Sequence, residues 1–284
     1  MGRYRKILVA FDGSESSRNA LKQAIKLAET EKSWIKVLAV VPSYEGDLEL
    51  VGVNNIKRVL EGSSEKLVKE AKEISQAEGV SIITSVEQGR AYEKIVYVAD
   101  VEDCDIIVMG RSGIHNIERM LMGSVTSRVI GYTRKEVLVV PGDTSIGWGN
   151  ILLATDDSKC SEVAADRAIN FAKSYGGRLT AVSVVDVTDE FYAEVPQAVA
   201  QMVEKAESAL EKVNKKAESE GIKIESVVRE GGEHEKIVEV AEEKGADVIF
   251  MGSHGRTGLE KLIMGSITEK VIGYAPCPVM VVKS

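Results

Sequence analysis

Short apolar runs alternate along the chain with longer segments whose apolar residues recur at helical spacing. Runs such as Ile7–Phe11 are typical of strands that are buried on both faces of a parallel sheet. The segment after this run carries the stripe of a helix that packs on a sheet: Ala20, Leu21, Ala24, Ile25 and Ala28. Because strands and helices alternate throughout, the pattern predicts a doubly wound α/β fold.

The whole pattern occurs twice. The segment Met109–Tyr132 recurs 142 residues later as Met251–Tyr274, and twelve residues of the two copies are identical in register. Each copy has five predicted strands and about four helices. The sequence therefore predicts two tandem domains, each a five-stranded parallel sheet flanked by helices. We place domain 1 at residues 1–142, a glycine-containing linker without periodicity at 143–150, and domain 2 at 151–284.

Composition and charge narrow the class of protein. The 284 residues are 44% hydrophobic and 28% charged, which is typical of a globular protein. A net charge of −8 argues against a nucleic-acid or anionic-membrane partner, and no apolar stretch approaches the ~20 residues that span a bilayer. Three widely separated cysteines, without a Cys-x-x-Cys pair, disfavour a disulfide framework or a zinc site and indicate a reducing cytoplasm.

The repeated segment has the spacing of an anion site. Gly110 follows an apolar strand, Gly113 comes three residues later, and after nine further residues Gly123 and Ser124 open a helix. Glycine lets main chain approach a phosphate closely, the first-turn amides of a helix attract anions, and Ser124 is expected to cap that helix. In open parallel sheets, ligands bind beyond the carboxyl ends of the strands, where this segment begins. The second copy repeats the arrangement with Gly252, Gly255, Gly265 and Ser266.

A purely structural interpretation of these glycines stays open. The chain contains neither Gly-x-x-x-x-Gly-Lys-Ser/Thr nor a Gly-x-Gly-x-x-Gly that opens a helix after the first strand. Glycines at strand-to-helix turns often do nothing but turn. Duplication does not decide between the two interpretations, because a structural need is copied as faithfully as a functional one.

Taken together, the motifs resemble those of the universal stress protein family over essentially the whole chain, as two tandem domains. The resemblance rests on a first strand that runs into Asp and on Gly-x-x-Gly, nine residues, then Gly-Ser. The second copy, Met251-Gly-Ser-His-Gly-Arg-Thr-Gly followed by Met264-Gly-Ser-Ile-Thr-Glu, is similar to the ATP-binding consensus of the family. The first copy departs from it, with Arg111-Ser112 and Ile114-His115-Asn116 at the matching positions.

The resemblance implies one site for ATP, ADP or AMP in each domain, with any Mg²⁺ held through the phosphates and water. It implies that the adenine and ribose side is held by Asp12 and Val40 in domain 1 and by Asp156 and Val184 in domain 2. It implies that ribose and phosphates are held by Gly110, Gly113, Gly123, Ser124 and Val125, and in domain 2 by Gly252, Gly255, Gly265, Ser266 and Ile267.

Single carboxylates at strand ends have other uses. Asp12 and Asp156 are better suited to accept a hydrogen bond from a ligand, or to cap the following helix, than to bind a metal alone. No nucleophile–His–Asp set is apparent, since the residue that matches His254 in the first copy is Ser112. We therefore assign no catalytic and no metal-ligating residues.

The closing strands, Val137–Val140 and Val279–Val282, would each form an apolar sheet edge that invites pairing. Because the family commonly dimerises through this strand, the resemblance implies that the two domains pair inside one chain as a pseudo-dimer, with a further homodimer as an option. The function expected is regulatory adenine-nucleotide binding in a stress response. A slow ATPase or phosphotransferase that uses the same sites, and a non-binding scaffold for partner proteins, are the alternatives.

Overall fold

A computed structural model of the chain describes residues 3–43, 56–112, 122–255 and 264–284. These residues form two compact units, divided along the chain between Asp143 and Thr144. Each unit is an α/β domain with helices flanking a parallel sheet, which confirms the predicted fold class. In the part of the chain that the structure describes, no helix combines the length and the apolar character needed to cross a membrane.

Domain 1 has the sheet order β3-β2-β1-β4-β5, and the registered pairs are all parallel. The chain fills one side of β1 first and then crosses to the other side with β4. The strands are β1 Lys6–Ala10, β2 Trp34–Val41, β3 Ile83–Gln88, β4 Ile106–Gly110 and β5 Glu136–Val140. The helices are α1 Glu15–Glu31, α2 Ile56–Ala77, α3 Ala91–Val101 and α4 Ser124–Tyr132.

Domain 2 repeats this topology with the order β10-β9-β6-β7-β8. The strands are β6 Asn150–Ala154, β7 Arg178–Val185, β8 Ile224–Glu230, β9 Val248–Gly252 and β10 Val279–Val282. The helices are α5 Lys159–Tyr175, α6 Asp189–Glu194, α7 Pro196–Ser219, α8 Glu233–Glu243 and α9 Ser266–Tyr274. The short α6 is not predicted by the sequence pattern. Asn150, which the pattern assigns to the linker, is the first residue of β6; the other domain bounds stay predictions.

The hydrophobic pattern identifies the core correctly. Every residue of β4, β5, β9 and β10 is buried, and so is the predicted stripe of α1, including Leu21 and Ile25. The matching stripe of α5, with Ala168 and Ile169, is buried as well. Burial of one large aliphatic side chain contributes about 1.5–3 kcal/mol, whereas the alanines of each stripe let the helix lie close to the strands.

Burial also separates the three free cysteines, and this difference can be tested. Burial raises the pKa of Cys104 to about 11 and that of Cys277 to about 12, whereas Cys160 is partly exposed. At pH 8 the two buried thiols are thiolate in about one molecule in a thousand or fewer.

We expect Ellman's reagent to modify one thiol per folded chain rapidly and all three after denaturation, with Cys160→Ser removing the fast phase. Rapid modification of a second thiol in the folded protein would contradict the burial described.

Candidate functional site

The predicted site residues gather where the strand order reverses. Because β1 lies between β2 and β4, the ends of these three strands meet at one edge of the domain-1 sheet. Val40 lies next to last in β2, Asp12 follows β1 by two residues, and Gly110 ends β4. Their counterparts in domain 2 have the same places: Val184 in β7, Asp156 after β6 and Gly252 at the end of β9. This edge is where open α/β sheets hold ligands.

The aspartates shape the turn before the helix and do not cap it. Asp12 Oδ1 accepts a hydrogen bond from the Ser14 amide at 3.0 Å, and Ser14 Oγ accepts from the Ser17 amide at 3.1 Å. In domain 2, Asp156 Oδ1 accepts from the Ser158 amide at 3.1 Å, and Ser158 is the N-cap of α5. The capping role considered for Asp12 and Asp156 is therefore wrong, because a serine two residues later has the geometry for it.

In domain 2 the glycine segment touches this turn directly. A Cβ built on Gly255 would lie 2.6 Å from Asp156 Oδ2, so a side chain there would require the carboxylate to move. The structure thus brings these two predicted site residues together. Gly113, the matching residue of domain 1, lies outside the described residues.

Gly110 and Gly252 have a packing reason to be glycine. A Cβ on Gly110 would lie 2.7 Å from the carbonyl carbon of Ser16 in α1, and a Cβ on Gly252 would lie 2.6 Å from Cys160 Cβ in α5. Real Cβ atoms do not approach so closely, so a side chain here would push the helix away from the strand. Packing alone accounts for these two glycines, and their contact with a nucleotide stays a prediction.

Both ends of the glycine segment are fastened by the same two hydrogen bonds in each domain. In domain 1, Thr126 Oγ1 donates to the Gly110 carbonyl at 3.0 Å, and the Gly123 amide donates to the Arg111 carbonyl at 2.8 Å. In domain 2, Thr268 Oγ1 donates to the Gly252 carbonyl and the Gly265 amide to the Ser253 carbonyl, both at 3.0 Å. The threonines are identical in the two copies, and this identity was the signal in the sequence that could have revealed their role.

The helix that follows begins one residue earlier than the capping prediction assumed. The N-cap of α4 is Gly123 and that of α9 is Gly265, and neither provides a side-chain cap. Ser124 is therefore not the cap but the first helical residue, and Ser266 is its counterpart. Both serines are exposed. Neither N-cap residue occupies the first-turn amides with a side chain, and amides at the start of a helix attract anions.

A cavity of about 530 Å³ opens beside this helix in domain 1. Val40 and Val125, two predicted site residues, both line it, so the structure places them together. Ala91 adds to the apolar wall, and Arg90, Tyr92 and Arg128 add polar groups. No pattern in the sequence pointed to the last three, because they come from the start of α3 and the middle of α4 and differ between the two copies.

The residues just after β4 and β9 differ in charge. Arg111 is partly buried, and this burial lowers the pKa of its guanidinium, an effect that the charge of Asp143 opposes. Its counterpart Ser253 is buried, with Oγ at 3.0 Å from Nδ1 of His254. Among the described residues, no group of three or more His, Cys, Asp and Glu side chains is placed to hold a metal ion.

Comparisons with known proteins agree with this architecture. The universal stress protein family model matches residues 3–141 and again residues 147–283. One universal stress protein of Methanocaldococcus jannaschii is 42% identical over 142 residues, covering 48% of this chain and 82% of that protein. A second from the same organism is 31% identical over 160 residues, covering 49% of this chain and 97% of that protein. Each of these relatives thus corresponds to about half of this chain.

A solved structure extends the likeness to nearly the full length. The crystal structure of a universal stress protein from Archaeoglobus fulgidus DSM 4304 has a TM-score of 0.74 with this chain and covers 98% of both chains. The two sequences are 23% identical. At this identity the comparison shows the fold alone.

The packing role of Gly110 can be separated from any binding role by measuring stability. We expect Gly110→Ala to lower the free energy of unfolding of domain 1 by about 1–3 kcal/mol, because the added methyl group overlaps Ser16 in a packed interior. Gly62, inside α2, is the matched control: a Cβ there meets nothing within 4 Å. Gly62→Ala should raise stability by about 0.5–1 kcal/mol, since alanine is the better helix former. Urea unfolding followed by circular dichroism measures both, and a Gly110→Ala protein as stable as the parent would refute the packing argument.

Proposed function

The chain belongs to the universal stress protein family, and we propose that each of its two domains binds an adenine nucleotide as a regulatory ligand. The ligand is ATP, ADP or AMP, and any Mg²⁺ is held through its phosphates. The finer parts of this proposal, including a role in a stress response in the cytoplasm, come from the family resemblance. The pairing of the two closing strands and a further homodimer stay predictions of the sequence.

The observation that carries the proposal is the start of α4 and of α9. Each helix begins with an uncapped first turn behind a glycine, at the edge where the strand order reverses. The positive end of the helix dipole, together with first-turn amides that have no partner within the helix, favours a phosphate at this place without any lysine. The exposed Ser124 and Ser266 add a hydroxyl to each first turn.

The remaining residues fit the other parts of a nucleotide. Asp12 and Asp156 present carboxylates that can accept hydrogen bonds from ribose hydroxyl groups. Val40 and Val125 give one side of the domain-1 cavity an apolar surface suited to a base. These residues therefore suit a neutral ring and a sugar at one end of the ligand, and the helix start suits an anion at the other end.

The first test is to denature freshly purified protein, separate the released small molecules by chromatography and quantify adenine nucleotide per chain. We expect about two nucleotides per chain if both sites retain ligand through purification, and about one if a single domain does. No release, together with no heat of binding for ATP and magnesium in calorimetry, would favour the scaffold alternative. Steady ATP turnover that Ser266→Glu abolishes would favour the slow hydrolase.

A second test separates binding from folding. We expect Ser124→Glu and Ser266→Glu each to weaken nucleotide binding in their own domain at least tenfold, because a carboxylate then occupies the first turn where the phosphate binds. Neither change should destabilise the fold, since an acidic residue in the first helical turn stabilises a helix by about 0.3–1 kcal/mol. Calorimetric titration gives the affinities and thermal unfolding gives the stabilities.

Ser127→Glu is the matched control for Ser124→Glu. It adds the same charge near the start of α4 but three residues further along the helix, at the position where the first turn of α9 carries Glu269. We expect its effect on affinity to be several-fold smaller than that of Ser124→Glu. Normal nucleotide binding by both Ser124→Glu and Ser266→Glu would refute the helix-terminus argument.

A further inference from the structure

One arginine of the domain-1 cavity is held in place and keeps its charge. The guanidinium carbon of Arg128 lies 5.2 Å from the centroid of the Tyr92 ring, within the range of a cation–π contact. Tyr92 is itself fixed from two sides: its hydroxyl donates to Glu93 Oε1 at 2.9 Å, and its ring lies 5.4 Å from the Tyr132 ring. Arg128 is therefore oriented at the cavity by a side chain that is anchored elsewhere.

The charges around this cavity do not balance. Arg90 Nη1 lies 3.2 Å from Glu93 Oε1, so that one cation is paired. Arg128 forms no ion pair with any residue that the structure describes, and its contact with Tyr92 leaves the guanidinium charge in place. Arg128 also lies one helical turn beyond Ser124, on the same face of α4 as the uncapped start of the helix. The positive charge is thus concentrated where the cavity meets the predicted phosphate site.

Domain 2 keeps the framework and changes the charges. The residues 142 positions after Arg90, Tyr92 and Arg128 are Gly232, His234 and Lys270. The ring pair persists, with His234 at 5.8 Å from Tyr274. Lys270 keeps the positive charge of Arg128 but not its planar pair of donors, whereas Arg90 has no charged counterpart. The first turn of α8 also adds Glu233 at the position of Ala91, beside Glu235, which matches Glu93 of domain 1.

We propose that the domain-1 cavity binds a nucleotide through Arg128, which contacts an anionic group of the ligand, and that domain 1 therefore discriminates by ligand charge more strongly than domain 2. Tyr92 is the positioning residue for Arg128. The volume of about 530 Å³ suits a small organic ligand, and the apolar wall with Val40, Ala91 and Val125 suits its ring. A guanidinium offers a planar pair of donors that matches phosphate geometry. This inference rests on the proposed function and specifies the selectivity of its first site.

The test uses the full chain carrying Ser266→Glu. Because this change is expected to weaken binding in domain 2, the titrations then report on domain 1. Calorimetric titrations with ATP, AMP and adenosine are compared before and after Arg128→Gln. We expect the Kd for ATP to rise about tenfold or more, because a charge-assisted hydrogen bond to phosphate is lost, and the Kd for adenosine to change less than twofold. Arg128→Lys should weaken ATP binding to an intermediate degree, since it keeps the charge and loses the fork.

Arg134→Gln is the matched control. It removes one exposed positive charge from the same domain just beyond the other end of α4, and it should leave all three affinities unchanged. Equal loss of ATP and adenosine affinity in Arg128→Gln would show a structural role and overturn the inference. Unchanged ATP affinity would also overturn the inference and would leave the proposed function intact. A parent chain that binds nucleotide only in domain 2 would overturn the inference and limit the proposed function to domain 2. A parent chain that binds no adenine nucleotide in either domain would overturn both.

Discussion

At the carboxyl edge of each sheet, backbone of the helix after the first strand lies directly against a glycine at the end of the fourth. Ser16 of α1 closes on Gly110, and Cys160 of α5 closes on Gly252, at separations that no Cβ would allow. This contact sets how near the first strand-to-helix turn comes to the glycine segment. In domain 2 the result is visible, because Oδ2 of Asp156 would lie only 2.6 Å from a Cβ on Gly255. The geometry of the candidate site therefore depends on the packing of the first helix of each domain against the glycine that ends the fourth strand.

Residues that are identical in the two copies can be divided into those that the packing of the fold requires and those that it does not. Gly110 is identical in the two copies for packing, and Thr126 is identical because it fastens α4 to the end of β4. Ser124 is identical as well, yet it is exposed and does not cap its helix. No contact among the residues that the structure describes accounts for a serine there. The proposed function gives this serine a role, as a hydroxyl beside the bound phosphate.

Periodicity made most of the fold predictable from the sequence. The buried strands and the stripes of α1 and α5 depend on burial alone, which a pattern of apolar residues records directly. The helix starts were harder, because a Gly-Ser pair fits a cap at either residue and only backbone angles decide between them. The short α6, with Phe191 and Tyr192 exposed, lacks a buried stripe and left no periodic signal.

The cavity of domain 1 could not be predicted, because its lining comes from several separate elements. Its net charge also depends on which arginine forms an ion pair with a carboxylate, and the sequence does not reveal this. That dependence also explains how two copies of one motif can diverge without a change of fold. Domain 2 keeps the glycine segment nearer to the family consensus, whereas domain 1 keeps Arg128 stacked on Tyr92 beside the same helix start. Backbone amides attract any anion. A guanidinium held at one point binds a ligand more tightly when the ligand carries a negative charge at that point. Similarity to the family consensus is thus a separate property from local positive charge. Domain 2 has the closer match to the consensus, and domain 1 has the oriented guanidinium.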